Sequence, residues 1–155
     1  MPCREEETSV FWIETDQELA DAVASWENCV GLDTEFIRTD TFYPIPGLYQ
    51  VASADQVFLI DPLTIEDWQP FGTFLMDPKT LIVMHACQED LEMLNHHLKV
   101  QPTSVVDTQF AHAFTGVDYS LSYANLVRRT IGVELHKQET RSNWLQRPLS
   151  EEQLT

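Results

Sequence analysis

The run from Val30 to Phe36 reads VGLDTEF, and its two acids are the first residues in the chain whose type and spacing point to chemistry. In an extended strand the side chains alternate, so Val30, Leu32, Thr34 and Phe36 share one face while Gly31, Asp33 and Glu35 share the other. Two carboxylates on one face, about 7 Å apart at their Cα atoms, repel and raise each other's pKa. Burying both without a counter-charge is costly, so a cation is the expected third party.

A third acid comes from MHACQEDLEML. Read as a helix at about 100° per residue, this segment has an apolar stripe of Leu91, Leu94 and Leu98, with Asp90 about 40° from Leu94 around the axis. Glu89 and Glu92 point well away from it. Asp90 is therefore expected at the margin of the core near the helix start, where the dipole favours a negative charge. In an open α/β sheet, strand carboxyl ends and the starts of the following helices share one edge, where Asp90 is expected to meet Asp33 and Glu35. A set of hard oxygen donors without Cys or His partners suits Mg²⁺ or Mn²⁺ better than zinc or copper. Two such ions roughly 4 Å apart serve phosphoryl transfer and phosphodiester hydrolysis.

The elements that must position these acids follow from pattern. Residues 9–13 are predicted as a strand and 15–26 as a helix capped by Thr15 or Asp16. After the acidic strand, residues 39–47 (TDTFYPIPG) read as a loop, and 48–53 and 56–61 as strands joined by a tight turn at Ala54 and Asp55, giving an antiparallel meander. Helices are predicted at 64–77, 88–98, 108–114 and 120–132, with strands at 80–85 and 103–107. Asp107 is expected to cap the third of those helices. Residues 135–150 are polar and irregular, and SEEQLT looks like the opening turn of another helix. The fold class is α/β, a mixed sheet covered by helices on both faces.

With 155 residues, 43% of them hydrophobic and 10% aromatic, the chain reads as one domain with a proper core. No apolar run approaches the roughly 18 to 20 residues of a membrane span, and the acidic start does not resemble a signal peptide. Cys3, Cys29 and Cys87 are odd in number and widely spaced, against both a disulfide framework and a thiolate zinc site. A soluble, cytoplasmic protein with no membrane partner is expected. Asp and Glu total 25 against 9 Lys and Arg, for a formal charge of −16. That balance opposes nonspecific binding to a polyanion unless bound divalent cations supply positive charge.

Lys137, Arg141 and Arg147 gather around Trp144, a cationic segment with an aromatic that suits phosphate contact and base stacking. A hinge whose cations pair with local acids is the competing reading. Trp12, Trp26 and Trp68 lie in apolar patterns and are assigned to the core. His96 and His97 are assigned to a solvent-facing side, His112 and His136 lack partners at metal spacing, and Arg128 and Arg129 complement a helix end. The five-residue spacing of His85 and Asp90 is taken as chance.

Five blocks in order, LDTEF with its YP loop, FLIDPL, HACQEDLEML, VVDTQFAHAF and NWLQRPLSEEQL, carry a resemblance. The chain resembles the catalytic domain of the ribonuclease D family, in the tyrosine branch of the DEDD exonuclease superfamily. The resemblance implies a ribonuclease H-like fold and 3′-to-5′ removal of nucleotides from single-stranded RNA 3′ ends, transfer RNA precursors being the typical substrates. It also implies a two-metal mechanism in which Asp33 bridges both ions, Glu35 helps bind the one nearer the attacking water, and Asp90 supports the other. Thr34 and Phe36 match positions flanking the 3′-terminal nucleotide.

One family motif has no counterpart. A Y-x-x-x-D helix supplies the fourth carboxylate and a water-orienting tyrosine, yet none of Tyr43, Tyr49, Tyr119 and Tyr123 has Asp four residues on. Residues 1–155 are accordingly expected to form a C-terminally incomplete exonuclease domain lacking the final helix, feeble or inactive alone. An apolar stripe left bare by that helix is expected to favour self-association. The rival reading is a noncatalytic module binding nucleic acid or protein. A choice between RNA and DNA leaves no short sequence signature.

Overall fold

The computed structural model describes residues 8–116, 118–135 and 142–154. Six strands alternate with helices: β1 (Ser9–Ile13), α1 (Asp16–Ser25), β2 (Cys29–Ile37), β3 (Ile45–Ser53), β4 (Gln56–Ile60), α2 (Gln69–Met76), β5 (Leu81–Met84), α3 (Gln88–His97), β6 (Val105–Asp107), α4 (Thr108–Ala113) and α5 (Tyr123–Ile131). A short 3₁₀ turn, Glu151–Gln153, follows. The strands form one sheet in the order β1-β4-β3-β2-β5-β6. β2, β3 and β4 make the expected antiparallel meander, while β1 runs parallel to β4, β5 to β2, and β6 to β5. The carboxyl ends of β2, β5 and β6 therefore open on one edge, where Glu35, the start of α3 and Asp107 all lie.

Alternation sorts the core. Val30 and Leu32 of β2, Tyr49 and Val51 of β3, and Phe58 and Ile60 of β4 turn toward α1, α2 and α3 in the main cluster. Leu48 and Leu59 turn the other way and are covered by Trp144 and Leu149, with Trp12, Ile37 and Val57 packed beside them. Asp33 and Glu35 share the parity of Ile37, so the two acids lie on the face that residues 144–149 cover farther along the sheet. Trp26 is buried, and Trp12 and Trp68 are partly buried, in keeping with their core assignment.

Local chemistry sets the ends of elements. Thr15 caps α1: its hydroxyl accepts from the Glu18 amide at 3.2 Å, and the Glu18 carboxylate accepts from the Thr15 amide at 3.0 Å. Ala54 takes a left-handed conformation, φ 49°, in the turn between β3 and β4. Ser150 caps the 3₁₀ turn, which lies where SEEQLT was read as an opening helical turn.

Three features depart from expectation for identifiable reasons. Ile45 and Pro46, assigned to a loop, are the first residues of β3, where Pro46 lies opposite Phe36 beside a register shift between Glu35 and Phe36. The bulge accommodates a residue that has no amide hydrogen to donate. α2 begins at Gln69 rather than Thr64, because the Asp16 carboxylate accepts from the amides of Glu66 and Asp67 and holds that stretch out of the helix, leaving Pro70 in the first helical turn. α3 is rotated relative to its predicted stripe: Asp90, Met93 and Leu94 are its buried residues, with Leu91 and Leu98 only partly covered.

Candidate functional site

β2 delivers Asp33 and Glu35 at its carboxyl end, and α3 delivers Asp90 from its first turn. Asp90 is turned inward, 9% exposed, and accepts a short hydrogen bond from the Thr34 hydroxyl. Thr34 belongs to the opposite face of β2 from Asp33 and Glu35, so the three acids straddle the strand. The charge of Asp90 is felt at Glu35, and that of Asp33 at Asp90. Burial pushes Glu35 up to about 7, and the charges of Asp33 and Asp90 push the same way. Burial likewise raises Asp90 to about 6; the Thr34 hydroxyl opposes the rise and the Asp33 charge adds to it. Asp33 is exposed by surface area, yet its carboxyl is ringed closely enough by protein for burial to raise it, against the Thr34 amide and a charge on His85.

Three carboxyls whose ionisation is opposed by burial, and for Glu35 and Asp90 by neighbouring acids as well, form a site short of positive charge. An all-oxygen donor set of this kind fits Mg²⁺ or Mn²⁺. Among the described residues no three His, Cys, Asp or Glu side chains already stand as a metal-holding group.

The raised values fix a pH dependence. Between about 4.5 and 7 the folded state holds a proton on Glu35 that the unfolded chain has released, so the folded state binds more protons and stability falls as pH rises through that window. The loss is complete above about pH 7 and, discounted for the partial exposure of Glu35, is on the order of 1–2 kcal/mol. Urea midpoints of the metal-free protein across this range are expected to fall more steeply for the native sequence than for Glu35→Gln. Parallel curves would contradict it.

Surrounding residues fix the geometry. The Asp107 carboxylate caps α4 by accepting from the amides of Gln109 and Phe110 (2.8 and 3.4 Å), and it reaches back to accept from Ala86 and Cys87 (3.0 and 3.1 Å) just before α3. Burial would raise Asp107, but these four donors hold it below the usual carboxylate range. α3 has no side-chain cap of its own, so Asp107 ties its start to β6. The Cys87 thiol is pushed up to about 11 by burial and by Asp107, which excludes a thiolate there. His85 donates from Nε2 to the Leu121 carbonyl at 2.9 Å, and its Nδ1 lies 2.9 Å from the Thr108 hydroxyl.

Other candidates separate clearly. Lys137 and Arg141 lie outside the described residues, as does His136. Arg147 and Trp144 are not a phosphate-and-base surface: Arg147 pairs with Asp61 at 2.5 Å and Trp144 is 5% exposed. His97 shares a 2.8 Å hydrogen bond with the Tyr49 hydroxyl, and His96 stacks on Tyr43, so neither faces a metal partner. Phe36 is partly buried against the core. Sequence reasoning overlooked Arg38, which bridges Glu89 and Glu92 at 3.0 Å each. Its signal was a lone cation three residues beyond Glu35 in an acidic chain.

The six-stranded sheet, with acids gathered at its carboxyl edge, has counterparts among known proteins. A family model described as 3′-5′ exonuclease matches residues 10–155, and the chain belongs to that family. Within it, the similarity is to ribonuclease D. Ribonuclease D of Pseudomonas paraeruginosa is 46% identical over 147 residues, covering 94% of this chain and 39% of that protein. The crystal structure of Escherichia coli RNase D, described as an exoribonuclease involved in structured RNA processing, superposes with a TM-score of 0.87 at 40% identity, over 94% of this chain and 40% of that one. Trypanosoma brucei RNase D in complex with RNA U12 gives a TM-score of 0.83 at 25% identity, over 96% and 57%. The chain thus spans well under half the length of the bacterial relatives, and its fold is the ribonuclease H-like one of RNase D. Among the described residues no helix is long and apolar enough to cross a membrane.

Proposed function

We propose that this chain is the nuclease domain of a cytoplasmic ribonuclease D-type exoribonuclease, which shortens single-stranded RNA from the 3′ end, transfer RNA precursors included. The observation that carries the reading is Asp90, turned in from α3 and electrostatically coupled to Asp33 and Glu35 across β2. Support for RNA comes from the relatives named ribonuclease D and the RNA complex of one of them.

In this reading Asp33, Glu35 and Asp90, the last oriented by Thr34, are the residues that would hold two divalent ions. Held there, Mg²⁺ or Mn²⁺ would supply Lewis-acid stabilisation of the phosphoryl oxygens and would acidify the attacking water. Thr34 acts through Asp90, because its hydroxyl is committed to that carboxylate, while Phe36 at the strand end bears on the terminal nucleotide. Asp107 keeps the first turn of α3, and with it Asp90, in register. Lys137 and Arg141 are assigned to the phosphate backbone. With three carboxylates where the family motif has four, residues 1–155 alone position the attacking water poorly, and turnover is slow.

The test is a 5′-labelled single-stranded RNA incubated with residues 1–155 in Mn²⁺ or in EDTA, alongside Mn²⁺ binding by calorimetry. Slow, Mn²⁺-dependent shortening from the 3′ end is expected, with Mn²⁺ binding weakened at least about tenfold in Asp33→Asn. RNA binding with no shortening and no response to Mn²⁺ would instead identify a noncatalytic module. Mn²⁺ binding unchanged in Asp33→Asn would remove the carboxylate site altogether.

A further inference from the structure

We infer that the connection between β2 and β3 carries a stacking platform, the ring of Phe42, for a base of a single-stranded RNA held at the carboxylate site. The inference rests on the nucleic-acid reading above. Phe42 is 79% exposed, yet it is not loose. Arg38 donates from Nη2 to the Phe42 carbonyl at 3.2 Å, while its Nη1 is held by Glu89 and Glu92 on α3. The Phe42 ring meets Tyr43 edge-on, centroids 4.8 Å apart at 81°. Tyr43 in turn lies flat on His96, 3.8 Å between centroids at 9°. A row of three rings thus runs from α3 to solvent and ends in an open phenyl face.

The anchors place this row beside the acids. Arg38 follows Glu35 by three residues, and its partner Glu89 is next to Asp90. Phe114 and Tyr119 are exposed as well, but no such ring-and-guanidinium brace holds them among the described residues. A ring fixed before binding loses little conformational entropy when a base covers it.

Charge favours the same occupant. On a chain of formal charge −16, with Arg38 already shared between two carboxylates, attraction to phosphate is weak. A π-face contributes affinity that does not depend on charge, and every base has one. The platform therefore accepts bases with little sequence preference.

The experiment is fluorescence anisotropy of residues 1–155 with a labelled oligouridylate of about 12 nucleotides, with Ca²⁺ in place of Mn²⁺ to suppress cleavage. Phe42→Ala is expected to weaken binding about tenfold, Phe42→Trp to restore it, and Phe42→Leu to behave like Ala. The fold-loss in Phe42→Ala is expected to be equal at low and high salt. Native-like binding by Phe42→Ala, or full restoration by Phe42→Leu, would overturn the platform while leaving the nuclease reading intact. A native protein that binds no RNA would overturn that reading and the platform with it.

Discussion

Replacing Glu35 with Gln is expected to slow nucleotide removal by at least about 10³-fold while leaving the metal-free protein as stable as before, or more so, at pH 8. The two effects share one cause. Glu35 sits where burial and the charges of Asp33 and Asp90 oppose its ionisation, holding its pKa near 7. Gln keeps the size and removes the charge, so the repulsion disappears. The same charge is what a divalent cation needs, so the substitution removes transition-state stabilisation worth several kcal/mol. Stability gained and activity lost at one residue is the signature of a site strained for function. Single-turnover rates and thermal midpoints, each with and without Mn²⁺, read both halves. The native protein should also gain more stability from added Mn²⁺ than the variant, because only a ligand of the folded state shifts the midpoint. A variant that cleaves normally, or that loses stability at pH 8, would show that Glu35 is not part of a cation site.

Much of this arrangement was legible in the chain because its causes are local. Alternation in VGLDTEF put Asp33 and Glu35 on one face, and helical spacing set Asp90 apart from Glu89 and Glu92; both hold in the structure. The precise burial of α3 was not legible. Its stripe is turned toward Asp90 and Met93 because the facing sheet supplies partners, the Thr34 hydroxyl for Asp90 and the Tyr49 hydroxyl for His97, and neither partner is visible from the helix alone. Asp107 was legible as a cap of α4, whose amides follow it directly, but not as a brace for Ala86 and Cys87 about 20 residues earlier. Pro46 inside β3 escaped notice because the bulge that admits it depends on the pairing with Phe36. Arg147 was read either as a cation for phosphate or as the partner of a local acid; its actual partner, Asp61, lies 86 residues away, and local spacing carries no trace of it.

That distant pair yields the largest expected effect on stability. Asp61 is 1% exposed, and Arg147 grips both its oxygens, Nε at 2.5 Å and Nη2 at 2.6 Å. The same guanidinium donates to the carbonyls of Gly47, Trp144 and Gln146 at 2.8 to 2.9 Å. Arg147→Ala leaves a buried carboxylate without its counter-ion and three carbonyls without donors, and is expected to cost about 3–5 kcal/mol. Arg147→Lys should recover little, because one ammonium cannot replace the planar fork. The double variant Asp61→Asn/Arg147→Met should recover more than half of the loss, since it removes the unpaired charge along with the cation. Trp144 reports the event. It covers Leu48 and Leu59, and a Cβ on Gly47 would lie 2.5 Å from its own Cβ, so there is no slack in the contact. Urea unfolding followed by tryptophan fluorescence should show Arg147→Ala with a lower midpoint and red-shifted native emission. An unchanged midpoint would mean that residues 144–149 are not what closes this face. The face in question also bears Asp33 and Glu35, so the pair pins Trp144 against the same side of the sheet on which those acids are displayed.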